Sequence, residues 1–175
     1  LTSQRPALLS AIAKNDVKEV RRLVTYFDDL SFLSDDGYDL VSYAMNESAE
    51  DVASFLIDCD IDLANRESRF TPIQVALEEP YYALMEKLLT KDIDLNAKGT
   101  EESGYPLHVL CWGYIEPDLL RTFLMKGADP CTKDDDGKTA LDIVWDHYDE
   151  NLAHEVANTE MMHILRDAMK EQGCG

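Results

Sequence analysis

Four segments of this chain repeat one another at a nearly constant interval, and that periodicity constrains the fold more than any single residue does. They are DGYDLVSYAM (Asp36 to Met45), RFTPIQVAL (Arg69 to Leu77), SGYPLHVLC (Ser103 to Cys111) and DGKTALDIV (Asp136 to Val144). The corresponding positions Asp39, Thr71, Tyr105 and Thr139 are spaced by 32, 34 and 34 residues. A second apolar stretch follows each: VASFLI from Val52, LMEKLL from Leu84, LLRTFL from Leu119 and MMHIL from Met161. Polar turns close three copies, DCDIDLAN, TKDIDLNAK and MKGADPCTK. An earlier copy, ALLSAIAKNDVKEVRRLV from Ala7, has the same two helical stretches without a preceding turn. One such unit cannot bury its apolar helix faces alone, so neighbouring copies must pack together to make a core.

Local chemistry agrees with this reading. Thr71 and Thr139 stand where a hydroxyl can cap the first helix of a copy. Pro72 and Pro106 fit a first helical turn, where no N–H is missed. Gly37, Gly104 and Gly137 precede the caps, where a tight turn wants positive φ, and Gly127 suits a helix C-cap. Lys14, Lys18, Glu19, Arg21 and Arg22 give the first copy a polar exterior. The last helix is expected over roughly Glu160 to Glu171, amphipathic, with Asn151 and Asn158 marking breaks before it.

The order turn, short helix, loop, second helix at a period near 33 resembles the ankyrin repeat. The matching residues are TPIQVA (Thr71 to Ala76), YPLHVL (Tyr105 to Leu110), KGADP (Lys126 to Pro130), DIDLNAK (Asp92 to Lys98) and DDGKTALD (Asp135 to Asp142). The resemblance covers nearly the whole chain. It implies an all-α ankyrin-repeat solenoid of about five helix–turn–helix repeats with short β-hairpin-like turns between them. Residues 1–175 would form one domain, with approximate repeats 5–34, 35–66, 67–100, 101–134 and 135–172. His108, at the family's PLH position, would hydrogen-bond between neighbouring turns. Asn96 resembles the hairpin asparagine that an oxygen-sensing hydroxylase modifies in some ankyrin proteins. Three loops depart from the pattern: EEPYYAL lacks the usual glycine, WGYIEPDLL is longer by about one residue, and WDHYDENLAHEVANTE by several. They read either as a working face or as drift in surface loops.

Charge narrows the partners. Sixteen basic and thirty-five acidic residues give a formal charge of −19. That field repels a phosphate backbone and an anionic membrane surface, so neither nucleic acid nor membrane is an expected partner. A Lys/Arg-rich protein segment suits it, although acidity also serves solubility. Eleven acidic residues and no Lys or Arg lie between Thr25 and Asn65, and nine against Lys138 alone between Asp134 and Glu160. No apolar run approaches the roughly 20 residues that span a bilayer. The start, LTSQRPALLS, has neither a Met nor a signal-peptide pattern, consistent with an excised piece of a longer protein. Cys59, Cys111, Cys131 and Cys174 are scattered without a CxxC pair, which reads as neither a disulfide framework nor a zinc site, and favours a reducing, intracellular and cytoplasmic setting; a monomer is the expected state. Nuclear location or delivery into a host cell stays open.

Catalytic signatures are missing. The chain has no GxSxG, no Cys-His signature and no Walker-type GxxxxGK[ST]. His147, His154 and His163 with Asp146, Glu150 and Glu155 lack an HExxH pattern, so surface histidines are the simpler reading. KDDDGKTALD fails calcium-loop spacing, with Thr132 and Ile143 at ligand positions. No cofactor and no metal are expected. What the family implies instead is binding through turn tips and a concave face of first helices. The tips are Ser34 to Tyr38, Arg66 to Phe70, Lys98 to Tyr105 and Lys133 to Lys138. Facing the groove would be Tyr43, Asn46, Val75, Glu78, Val109, Trp112, Ile143 and Asp146. Tyr38, Phe70, Tyr81, Tyr82, Trp112 and Tyr114 supply aromatics to that side, and Asp135 and Asp146 supply charge. The expectation is a non-catalytic protein-binding scaffold. The rivals are a targeting segment of a larger enzyme or bacterial effector, and an acidic nucleic-acid mimic.

Overall fold

A computed structural model describes residues 4–59, 61–78, 81–100, 104–112, 117–146 and 155–174. Among the described residues ten helices follow one another: α1 (Arg5–Ala13), α2 (Val17–Val24), α3 (Leu40–Asn46), α4 (Glu50–Ile57), α5 (Pro72–Glu78), α6 (Tyr82–Leu89), α7 (Pro106–Trp112), α8 (Pro117–Met125), α9 (Ala140–Asp146) and α10 (Glu155–Gln172). The fold is all-α, with helices packed in sequential pairs. The chain divides into two compact units, Leu1–Ile93 with Ala97–Glu101, and Asp94–Asn96 with Glu102–Gly175.

In unit 1 the first helices of the pairs contact one another, α1 with α3 and α3 with α5, and the second helices do the same, α2 with α4 and α4 with α6. Unit 2 repeats the scheme, with α7 on α9 and α8 on α10. Leu8, Ile12, Leu40, Leu56 and Leu88 fill the core of unit 1, and Leu107, Leu110, Phe123 and Leu165 that of unit 2. Fully burying each such side chain stabilises the fold by about 1.5–3 kcal/mol.

The helices α3, α5, α7 and α9 are seven residues each, too short to stand without tertiary support. Their N-termini are held by short polar bonds. Asp39 accepts from the backbone N–H groups of Val41 and Ser42, both at 2.9 Å. The Thr71 N–H and hydroxyl donate to Gln74 Oε1 at 2.8 and 2.9 Å. Thr139 and Asp142 close a reciprocal box: the Thr139 N–H donates to Asp142 Oδ2 at 2.8 Å, and the Asp142 N–H returns to Thr139 Oγ1 at 3.3 Å. Pro72 and Pro106 open α5 and α7, as their spacing predicts. Before the caps, Gly37 (φ 82°) and Gly137 (φ 77°) turn the chain so that Ser34 N bonds Tyr38 O and Asp134 N bonds Lys138 O.

Three expectations need correction. None of the described residues lies in a β-strand; the turns make single cross-bonds, such as Arg69 N to Gly37 O and Thr100 N to Ser68 O, too few for a ladder. The last helix begins at Glu155 and continues through Asn158. Asn costs a helix interior only about 0.5 kcal/mol, less than burying Met161, Met162 and Leu165 returns. Finally, Cys131 and Cys174 are joined as a disulfide with Cα atoms 5.8 Å apart, across 43 residues of sequence.

Candidate interaction surface

In unit 1, the turn at residues 34–38 brings Tyr38 onto Phe70, with ring centroids 6.2 Å apart. The Arg69 guanidinium lies 5.7 Å and 5.9 Å from the two rings. Tyr38 is only 8% exposed, so this tip aromatic, expected to meet a partner, packs against its own chain. Phe70 is half-buried, and so is Tyr43. Burial pushes the Tyr43 phenol above its usual range, aided by Glu47, Asp36 and Asp35. Asn46 and Glu78, at the ends of α3 and α5, are exposed, whereas Val75 is buried. The Tyr81 hydroxyl donates to Met45 O at 2.9 Å, which gives it a tie between helix pairs. Tyr82 is the open one of the two, 67% exposed.

The acidic run of unit 1 is not a uniform field. Asp39 is buried, and desolvation pushes its carboxyl up against the opposing bonds from Ser42 and Val41. Asp58 takes Lys87 at 2.6 Å and Lys91 at 2.7 Å, which hold its pKa down to about 2. Asp51 accepts from Asn15 at 3.0 Å. Asp35, Asp36, Glu47 and Glu50 are exposed.

In unit 2, Trp112 and Trp145 stand at the ends of the packed helices α7 and α9, 62% and 60% exposed. Trp145 was not among the sequence candidates, although its register carries a signal. It lies six residues after its cap, where Met45 and Cys111 are buried and Leu77 half-buried in earlier copies, and the indole is the largest side chain at that register. Ile143 is buried and Val109 half-buried. Asp146 pairs with Lys138 at 2.6 Å, and Asp135 is exposed on the turn. Asp134 folds KDDDGKTALD by accepting from the N–H groups of Asp136 and Lys138 at 3.0 and 2.8 Å. The described residues contain no group of three or more His, Cys, Asp or Glu placed to hold a metal ion. Tyr114, His147, Glu150 and His154, and the side chain of Glu155, lie outside the described residues, as do the lengthened segments 113–116 and 147–154.

Two residues singled out by the family resemblance are engaged in the packing of unit 2. His108 is 1% exposed, with Nε2 2.9 Å from Lys138 O. A carbonyl only accepts, so Nε2 is the donor and the bond joins neighbouring turns as expected. Asn96 donates from Nδ2 to Gly127 O at 2.9 Å and accepts the Asp129 N–H on Oδ1 at 2.8 Å. Both ends of its amide are used.

Nucleophilic chemistry finds little purchase on the free thiols. Burial pushes Cys111 up to about 12, and burial beside Asp58 raises Cys59 as well, so neither is a ready thiolate. Among the described residues no helix is long and apolar enough to cross a membrane.

No family profile matches the chain. A relative, E3 ubiquitin-protein ligase hecd-1 of Caenorhabditis elegans, is 34% identical over 113 residues, which are 64% of this chain. The match spans 4% of that relative's length.

Proposed function

We propose that this chain is an ankyrin-type repeat module with no catalytic chemistry of its own, which docks a partner protein on an acidic surface bearing exposed aromatics. The observation that carries this reading is the pairing of helix ends with exposure. Asn46, Glu78, Trp112 and Asp146 stand seven residues after the corresponding positions Asp39, Thr71, Tyr105 and Thr139, and all four are exposed. An open position at one register gives each unit exposed footholds for a partner, and in unit 2 the indoles of Trp112 and Trp145 offer large rigid contact area. The phased caps at Asp39, Thr71 and Thr139 support the repeat assignment. Charge favours a Lys/Arg-rich segment as the occupant.

Affinity capture with the wild-type chain beside a Trp112→Ala, Tyr43→Ala double variant tests the surface. Partners retained by the wild type should be lost or strongly depleted on the variant. If the variant keeps every one, the binding surface lies elsewhere.

A second reading follows from the relative. A match confined to a small part of a ubiquitin-protein ligase is what a binding arm of a larger enzyme would give. Sequencing the complete transcript decides between them, since this reading requires a catalytic domain encoded in the same chain.

A further inference from the structure

We propose that Cys131 and Cys174 form a reversible thiol–disulfide couple, a modification site that low-molecular-weight disulfides oxidise and that fixes the C-terminal end of α10. The two sulfurs meet because two independent backbone motifs aim them at one another. Asp129 Oδ1 accepts the Cys131 N–H at 2.8 Å, and the Thr132 hydroxyl bonds the same carboxylate at 3.2 Å, so a tight Asx turn presents Cys131. Asn96 braces that turn from behind through the Asp129 N–H.

At the other end, Gly173 (φ 79°) ends α10 in a left-handed turn. Its N–H bonds Lys170 O at 3.2 Å, and the Cys174 N–H bonds Met169 O at 3.0 Å. This pair of bonds is the Schellman arrangement, which folds the chain back on itself and carries Cys174 toward Cys131. The bonds of both motifs use backbone and oxygen atoms and no sulfur, so they can form in the dithiol as well and keep its thiols near one another. Both cysteines are half-buried, open enough for a small disulfide to reach.

The rest of the cysteine set makes the site selective. Cys111 is 4% exposed and Cys59 has no cysteine partner. Oxidation by glutathione disulfide proceeds in two exchanges. One protein thiolate attacks the oxidant and expels a glutathione thiolate, leaving a mixed disulfide. The second protein thiolate then attacks the protein sulfur of that bond and expels the other glutathione. Two protein thiols thus lose two protons and two electrons, and the oxidant is reduced to two thiols. A dithiol reductant reverses both steps.

The test is to equilibrate the reduced full chain with mixtures of reduced and oxidised glutathione, quench with acid, alkylate and map the peptides by mass spectrometry. The expected product is a cross-link between Cys131 and Cys174 with Cys59 and Cys111 alkylated. Its formation constant should be at least about tenfold larger in the native chain than in concentrated guanidinium, where only a flexible loop brings the sulfurs together. Gly173→Ala leaves both thiols in place but strains the left-handed turn, and should lower the native constant several-fold. Circular dichroism of that variant keeps unfolding separate from a local effect. Separate glutathione adducts on the two cysteines, a cross-link through Cys59 or Cys111, or equal constants in the native and denatured chain would each overturn the proposal. So would a folded Gly173→Ala variant that closes as readily as the wild type.

Discussion

Units 1 and 2 pack successive helix pairs in the same pattern, yet one tie in unit 2 has no counterpart in unit 1. Unit 1 relies on reversible polar ties. Lys87 and Lys91 reach from the α6 side to Asp58 behind α4, Asn15 receives the N–H of Val52 in α4, and Ser68 joins the Asp39 N–H to Phe70 O. Unit 2 has polar ties too, the Arg121 to Glu160 ion pair between α8 and α10 at 2.7 Å, the two-sided Asn96 amide and the His108 bond to Lys138 O. It adds the covalent link from Cys131 to Cys174. Polar ties therefore brace both halves, and unit 2 alone carries a crosslink as well. Acid should loosen carboxylate ties in both units, Asp58 in the first and the Asp142 cap in the second, whereas a reductant should loosen the second alone.

The apolar cores should make the two units look alike, since both rest on buried leucines and aromatics. Phe123→Ala in unit 2 should cost about 3–5 kcal/mol, and Leu56→Ala in unit 1 about 2–5 kcal/mol, by denaturant unfolding. A much smaller loss in either would mean that its core does not carry it. The crosslink separates them. Cys131→Ser, or reduction, should destabilise unit 2 by about 2–4 kcal/mol, as expected for a closed loop of this length. Hydrogen exchange should place the loss in α8 to α10 and leave α3 to α6 unchanged.

Gly99 sharpens the picture of unit 1. A Cβ there would lie 2.3 Å from Arg69 O, which cannot swing away as a side chain could. Gly99→Ala should therefore cost about 1–3 kcal/mol and weaken protection of the Thr100 N–H, which bonds Ser68 O. Normal protection in that variant would show that the two segments do not approach so closely.

The smallest effect is the titration of Asp58. Its lysine partners lower the folded pKa from the ordinary 3.8 to about 2, so its contribution is present above about pH 4 and is lost as pH falls toward 2. Both partners are exposed enough for salt to screen much of it. An NMR titration should place the Asp58 midpoint near 2, and Asp58→Asn should flatten the acid dependence of unit 1 alone. A midpoint near the ordinary value would remove the charge brace.

What was legible in the sequence was what local chemistry encodes. Thr71, Thr139 and Pro72 announce helix starts because a cap acts within three residues. Gly137 announces a turn because its φ is positive, and the spacing of these signals delimits the pairs. The proposed interaction surface was legible only in part. Tyr82 and Trp112 are exposed as expected, but Tyr38 is buried on Phe70, because ring stacking between adjacent turns is a tertiary event. Trp145 went unseen at a register where earlier copies carry smaller residues. The Cys131 to Cys174 link was misread for a similar reason. Its 43-residue separation carries no local mark, and only the Asx turn and the αL turn together bring the sulfurs into reach.

Whether the acidic, aromatic-bearing surface docks protein is decided most directly by calorimetric titration of a captured partner at about 50 and about 300 mM salt. Affinity for the wild-type chain should fall about tenfold or more between these conditions, as charge attraction is screened. It should fall again by about tenfold in a Trp112→Ala, Trp145→Ala variant at low salt. An affinity that ignores both salt and the loss of the two indoles would contradict the docking surface outright.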